Sequence, residues 1–374
     1  MSRPTLTVDL SAVAANTRLL ASAARGALMA VVKADGFGHG DAGVARTALA
    51  SGATALGVTS VEEALALRRD GVEAPVLSWL NPVDAPFDEA VRAGVELAVP
   101  SPAHLQAIAA AARRTGRPAR LHLHVDIGMA RDGASPLEWD ALCAAARSAE
   151  LAGDVRVVGV MGHLGWADQP CDPLNRHGRE RFLEAVAAAR AAGLRPGTRH
   201  LAATAATLTA PDTHFELCRV GAGLAGIDPS GTTRLHPALT LTAPVVAVRE
   251  VPAGTHVGYG RTYATSRRAW LALLPVGYAD GIPRAASGSA WVQLRGRRRR
   301  VVGAVSMDCV VVEAGEDPVA LGETATVFGP GASGEPTTAD WARWAGTLEH
   351  EIVTGIGPRV ARRTLTAPQL AVSA

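Results

Sequence analysis

The sequence predicts an α/β protein: an N-terminal (β/α)8 TIM barrel followed by a mostly antiparallel β C-terminal domain. Three observations carry this expectation. Over residues 11–228, eight short apolar runs alternate with alanine-rich helical stretches. After Pro237 most helical stretches give way to β-rich runs broken by glycine and proline. The chain is 374 residues long and 48% hydrophobic, enough for a large core and two or three domains.

The eight runs are residues 27–32, 55–58, 75–78, 97–99, 121–125, 157–161, 200–202 and 216–219. Gly52, Gly71, Gly94 and Gly193 each fall between a helical stretch and the next run, where a left-handed C-terminal residue is needed. Strands separated by helices imply parallel pairing with right-handed crossovers, and about eight such units suit a closed barrel better than an open sheet. The second region has runs at 245–251, 269–275, 290–294, 300–305, 310–313 and 324–328, then a helix at 338–344. The expected division is residues 10–235 for the barrel and 236–374 for the β domain, with the N-terminal strand in residues 1–9 joining the latter.

Composition excludes several classes. Only 19% of residues are charged and the net charge is +2, so nothing draws the chain to nucleic acid or acidic lipid. The basic run Arg297–Arg300 beside a glycine reads as a solvated hairpin. The opening residues lack a continuous apolar stretch, and the alanine-rich segments are interrupted well short of the ~18 apolar residues of a spanning helix. Four scattered cysteines form no C-x-x-C pair, which suits a reducing cytoplasm and suggests neither disulfides nor a metal site.

Lys33 is the only lysine among 37 basic residues. It follows the first apolar run in Val31-Val32-Lys33-Ala34-Asp35-Gly36-Phe37-Gly38-His39-Gly40, the end of a barrel strand where catalytic groups gather. By position alone it is an ordinary solvated lysine. Its uniqueness and the tight glycine-rich turn after it favour an amine lowered in pKa by burial, as a Schiff-base lysine requires.

This run resembles the pyridoxal-phosphate attachment motif of the alanine racemase family. The resemblance extends along nearly the whole chain, through Gly128-Met129-Ala130-Arg131, Gly162-His163, His200-Leu201-Ala202, Arg219-Val220-Gly221, Gly258-Tyr259-Gly260-Arg261-Thr262-Tyr263, Gly277-Tyr278-Ala279-Asp280-Gly281 and Met307-Asp308. It implies a racemase that interconverts L- and D-alanine with pyridoxal 5'-phosphate bound covalently to Lys33. It also implies Tyr259 as a second base, reaching the lysine of the other subunit in a homodimer with shared sites. His163 would face the cofactor ring, Arg219 its nitrogen, and His200 would hydrogen-bond to Arg219. Thr204 with the amides of Gly221 and Ala222 would hold the phosphate. Arg131, Tyr278 and Met307 would contact substrate.

The run Gly221-Ala222-Gly223-Leu224-Ala225-Gly226 spells a dinucleotide fingerprint, but a turn follows where that fingerprint needs a helix, and no acid lies at positions 245–248. Nicotinamide or flavin binding is therefore set aside.

Some positions depart from the family pattern. His124 stands where a lysine, often carbamylated, is usual, which leaves open whether an anion takes its place. Phe37 replaces a tyrosine whose hydroxyl reaches the phosphate, removing a hydrogen bond worth on the order of 1 kcal/mol. Ile127, Ala203, Thr204 and Pro358 also differ. Two alternatives therefore stay open at this level: action on another amino acid or in a specialised pathway, and a non-catalytic cofactor-binding protein.

Overall fold

The computed structural model describes residues 3–316 and 318–366. Residues 1–2 and 367–374, which the expected β domain includes, lie outside the described residues. The chain divides into two units. One contains residues 13–36 and 40–235; the other contains the segment up to Ala12, Phe37–His39 and the chain from His236 onward.

The first strand, β1 (Thr5–Asp9), belongs to the second unit. The barrel strands are β2 (Ala27–Val31), β3 (Ala55–Val58), β4 (Val76–Ser78), β5 (Glu96–Val99), β6 (Ala119–His124), β7 (Val155–Met161), β8 (Thr198–His200) and β9 (Leu217–Val220). They pair in parallel in the order β8-β7-β6-β5-β4-β3-β2-β9. Ring closure falls between the ends of that list, where the Arg219 N–H donates to the Ala202 carbonyl at 2.9 Å. Seven of the eight expected runs form strands, and the remaining one shares one residue with β8. The run at 200–202 is displaced, because the chain leaves the sheet after His200 and Ala202 serves only as that closing acceptor.

The barrel is a packed core, as short apolar strands buried on both faces demand. Met29, Ala55, Leu77, Ala98, Met161 and Leu217, one from each of six strands, form a buried cluster capped by Trp79. Crossover helices include α3 (Asp41–Ala50), α4 (Val61–Arg69), α5 (Phe87–Arg92), α6 (Pro102–Thr115), α7 (Trp139–Leu151) and α8 (Pro173–Ala191), and α1 (Leu10–Ala23) leads into β2. The four glycines expected to end helices have φ of 114°, 80°, 64° and 92°, the left-handed geometry anticipated for Gly52, Gly71, Gly94 and Gly193. Among the described residues no helix is long and apolar enough to cross a membrane.

In the second unit β10 (Leu239–Pro244), β11 (Ala247–Val251), β14 (Ala269–Leu274), β15 (Trp291–Leu294), β16 (Arg297–Val302), β17 (Val310–Gly315), β18 (Thr324–Phe328) and β19 (Ala361–Leu365) join β1 in a nine-stranded sheet. A separate pair is formed by β12 (His256–Val257) and β13 (Tyr263–Ala264). The expected run at 245–251 starts two residues before β11. Its neighbour β10 is missing from the sequence reading, and between Val245 and Val246 the backbone switches hydrogen-bond partner from Glu323 to Leu273. β1 pairs antiparallel with β10 and parallel with β19, so the N-terminal strand does join this sheet. The basic run lies on the β15–β16 hairpin, whose two-residue turn, Arg295 (φ 54°) and Gly296 (φ 70°), has the positive φ values such turns require.

Candidate active site

Lys33 leaves the barrel two residues after β2 and opens α2 (Lys33–Gly38). This helix is wound left-handed: Ala34, Asp35, Gly36, Phe37 and Gly38 have φ of 53°, 55°, 60°, 58° and 78°. Left-handed turns cost L-residues roughly 1–2 kcal/mol each, so the surroundings must hold this one. The Gly36 N–H donates to Val32 at 2.9 Å, Gly40 to Asp35 at 2.8 Å, and the Ala34 N–H to Glu63 Oε1 at 2.8 Å. Glu63 is itself fixed, because it closes the capping box of α4 with Ser60 and accepts from Thr59. Burial and the charge of Arg131 lower the Lys33 amine from its ordinary value, and Glu63 only partly opposes them.

Arg219 on β9 is buried, with four acceptors around it. NH1 donates to the His200 carbonyl at 2.8 Å and lies 3.1 Å from His200 Nδ1; NH2 donates to the Gly162 carbonyl at 2.8 Å and lies 3.3 Å from His163 Nδ1. None of the four is a carboxylate. Burial lowers the guanidinium to about 10, still protonated at neutral pH. Burial, then the charges of Arg219, Arg131, His124 and Lys33, push the His163 imidazole down to about 3. His163 is therefore a neutral ring in the middle of the cationic residues. His200 is held neutral by burial foremost, with neighbouring Arg219 among the lesser causes.

Arg131 sits on a loop leaving β6. Asp126 Oδ1 accepts from the N–H groups of Gly128, Met129 and Ala130 at 2.9, 3.0 and 3.2 Å, and Val125 bridges Ala134 across the base. His124, where a lysine was the family expectation, has Asp132 as its neighbour: Nδ1 to Oδ2 is 3.4 Å. Burial would raise the Asp132 carboxyl, yet His124 reverses this and keeps it below the usual range. Asp132 thus sets a carboxylate beside His124.

Thr204 begins α9 (Thr204–Thr209), and its Oγ accepts the Gly223 N–H at 3.2 Å, leaving the hydroxyl proton to donate elsewhere. A Cβ on Gly223 would come within 2.7 Å of Leu20 and 2.9 Å of Thr204, so a larger residue would push these side chains aside. After β9, Gly221 and Ala222 enter a turn rather than a helix, and their carbonyls accept from Leu224, Ala225 and Ile227. The structure therefore brings Lys33, Arg131, His163, His200, Thr204, Arg219, Gly221 and Ala222 to the C-terminal ends of the barrel strands.

The remaining three sequence candidates belong to the second unit. Tyr259 lies between Gly258 and Gly260, with φ of 71° and 70°, and is 76% exposed. Tyr278 and Met307 share adjoining loops: the Tyr278 N–H donates to Ser306 at 3.0 Å and Ala279 to Met307 at 2.8 Å. Gly277 lets them meet, since a Cβ there would lie 2.3 Å from the Ser306 oxygen. Buried Asp280 accepts from the Gly277 N–H at 2.9 Å and pairs with Arg359 at 3.1 Å, which holds the loop. Tyr263, by contrast, donates to Glu313; burial first, then that carboxylate, push its phenol up to about 12, so it serves structure.

Four residues near the barrel site escaped the sequence reading: Glu63, Glu96, His122 and Asp132. Only Glu63 carried a local signal, the Ser-x-x-Glu cap at positions 60–63.

The donor set fits pyridoxal phosphate: a half-buried amine for the aldehyde, a guanidinium that donates but cannot accept beside the site, and a hydroxyl free to donate to phosphate. Fold and site together define a class of barrel enzymes that mount a carbonyl cofactor on a lysine. Sequence profiles for the alanine racemase N-terminal and C-terminal domains match residues 8–229 and 238–364. The chain is 49% identical over 352 residues to an alanine racemase of Salinispora tropica, covering 94% of this chain and 95% of that one. It also matches the crystal structure of the Streptomyces coelicolor A3(2) alanine racemase with a TM-score of 0.96, at 43% identity and 98% coverage of both chains. A Bartonella henselae alanine racemase structure with covalently bound pyridoxal phosphate matches at a TM-score of 0.88 and 25% identity, over 98% of this chain and all of that one. This chain belongs to the alanine racemase family, whose members are pyridoxal-phosphate-dependent isomerases.

Proposed function

We propose that this protein interconverts L- and D-alanine, with pyridoxal phosphate held on Lys33 and with two copies sharing their sites through Tyr259. The observation that carries this reading is the half-buried, pKa-lowered Lys33 amine among Arg131, His163 and Arg219, in a chain of this family. When bound, the cofactor supplies the electron sink that makes the substrate Cα–H acidic. The lowered Lys33 Nζ is suited to take that proton on one face. Tyr259 Oη exchanges a proton on the opposite face, because a single base returns the proton to the side it left. The planar fork of Arg131 suits the substrate carboxylate. Arg219 donates to the ring nitrogen without protonating it, since a guanidinium keeps its protons. Thr204 and the amides of Gly221 and Ala222 hold the phosphate.

The outward placement of Tyr259, Tyr278 and Met307, which are 76%, 42% and 57% exposed, supports a homodimer in which the second copy covers them. The free cysteines Cys143, Cys171, Cys218 and Cys309 suit a cytoplasmic enzyme, and D-alanine is a building block for cell-wall peptide. Incubating the purified protein with L-alanine and pyridoxal phosphate, then resolving the enantiomers, tests the reading. No D-alanine at any pH overturns it.

A further inference from the structure

Behind Arg219, a line of polar side chains runs across the barrel. Arg219 NH1 lies 3.1 Å from His200 Nδ1; His200 Nε2 lies 2.8 Å from His122 Nδ1; His122 Nε2 lies 2.9 Å from Glu96 Oε2. Glu96 Oε1 accepts from Arg120 Nε at 2.7 Å near the surface. These residues sit on β9, β8, β6 and β5, and Arg219, His200, His122 and Glu96 are each 9% exposed or less. The intervening strand β7 makes room for the histidines. Its register against β6 shifts between Leu121 and His122, which sets Gly159 opposite His122. A Cβ at Gly159 would fall 2.1 Å from His122 Nδ1.

The ends of this line fix its protons. A guanidinium only donates, and a carboxylate only accepts. Read from the Arg219 end, every contact is satisfied in one way alone: Arg219 donates to His200 Nδ1, the single proton of His200 lies on Nε2 and donates to His122 Nδ1, and His122 Nε2–H donates to Glu96. A proton on His200 Nδ1 would face the Arg219 N–H, donor against donor. Burial, the largest cause, keeps His200 neutral, so it cannot serve as a donor at both nitrogens.

We infer that Glu96 and His122 are positioning residues that select the Nε2–H tautomer of His200 and thereby hold the Arg219 guanidinium toward the cofactor ring nitrogen. This rests on the role given to Arg219 above. The carboxylate supplies the direction of the line, His122 transmits it, and His200 presents a bare Nδ1 to Arg219. Second-line partners of this kind set ring orientation and tautomer wherever an imidazole supports a reacting centre.

The test is 15N NMR of the cofactor-loaded, histidine-labelled protein, with His200 assigned through His200→Gln. Wild type should show His200 protonated at Nε2 and bare at Nδ1. His122→Phe keeps a ring but removes the acceptor; it should populate the Nδ1–H tautomer and lower racemisation kcat roughly tenfold, the scale of one hydrogen bond, with KM for alanine within about twofold. His122→Asn, whose carbonyl can take the place of Nδ1, should restore both tautomer and kcat. A wild-type His200 bearing its proton on Nδ1, or doubly protonated, overturns the inference, as does a His122→Phe protein with an unchanged tautomer. Should His122→Phe not fold, the wild-type and His122→Asn spectra decide. A wild-type protein that makes no D-alanine yet shows the Nε2–H tautomer supports the positioning line and overturns the proposed reaction instead.

Discussion

Asp132 places its carboxylate 3.4 Å from His124 Nδ1, at the end of β6 and beside the loop that carries Arg131. The pair joins a strand end to a loop whose backbone is already tied at Val125 and Ala134. It also sets a pH dependence. The folded Asp132 carboxyl lies below its ordinary value of about 3.9, so its stabilisation is fully present above that value and is lost as pH falls through the folded pKa. Wild type should therefore melt above Asp132→Asn at pH 7, and the gap should close as the pH drops below about 3.9. Thermal melts of both proteins across that range check it; a constant gap counts against the pair.

Replacing the lone lysine isolates the covalent step. Lys33→Arg keeps the positive charge but cannot condense with an aldehyde. Mass spectrometry after borohydride reduction should find no cofactor attached to the variant, and racemisation should fall on the order of 10³-fold or more. Attachment at another site would break the assignment of Lys33.

Tyr259 gives a prediction that depends on assembly. Tyr259→Phe should lose about 10²–10⁴-fold in racemisation, the usual contribution of one acid–base group. If sites are shared between copies, mixing Lys33→Ala and Tyr259→Phe proteins under exchange conditions builds hybrid dimers with one site of wild-type make-up. Activity should then recover to about a quarter of wild type at equal mixing, from inactive parents. Recovery no greater than the sum of the parents would show that the two residues do not meet across copies.

Glu63 should matter to stability before chemistry. It closes the α4 capping box and receives the Ala34 N–H. Glu63→Ala removes both, at a cost of about 1–2 kcal/mol from the cap alone, which lowers Tm by about 1–3 °C in a chain of this size. Differential scanning calorimetry measures this directly. A Tm equal to wild type would mean that Thr59 and Ser60 hold the lysine turn unaided.

Much of the barrel was legible because short runs buried on both faces leave few other readings. Residues 55–58 and 324–328 were placed at their observed ends, and the glycines after four helices marked the left-handed caps. β10 was missed because Leu239-Thr240-Leu241-Thr242 alternates only briefly before Pro244. β19, Ala-Arg-Arg-Thr-Leu at 361–365, was missed because an edge strand with two arginines resembles a loop. Within the site, Lys33 and Arg219 stood out through motif and uniqueness. Glu96 and His122 did not, because a contact across four strands leaves no local spacing to read. The left-handed path through Ala34, Asp35 and Phe37 was equally hidden: the flanking glycines signal a turn, but nothing in three ordinary residues announces positive φ.

That path has a consequence for how the molecule comes into being. Phe37–His39, the far end of the turn that begins at Lys33, groups with the chain from His236 onward. Arg362 NH1 donates to the Gly38 carbonyl, and Gly38 packs so closely on Val353 that an added Cβ would sit 2.3 Å from its oxygen. On a ribosome making the protein from its first residue, these clamps emerge more than three hundred residues after the lysine. Barrel strands can zip up early in synthesis, whereas the coil beside the amine waits for nearly the last codons. A nascent chain released before them would carry a lysine with no fixed turn behind it.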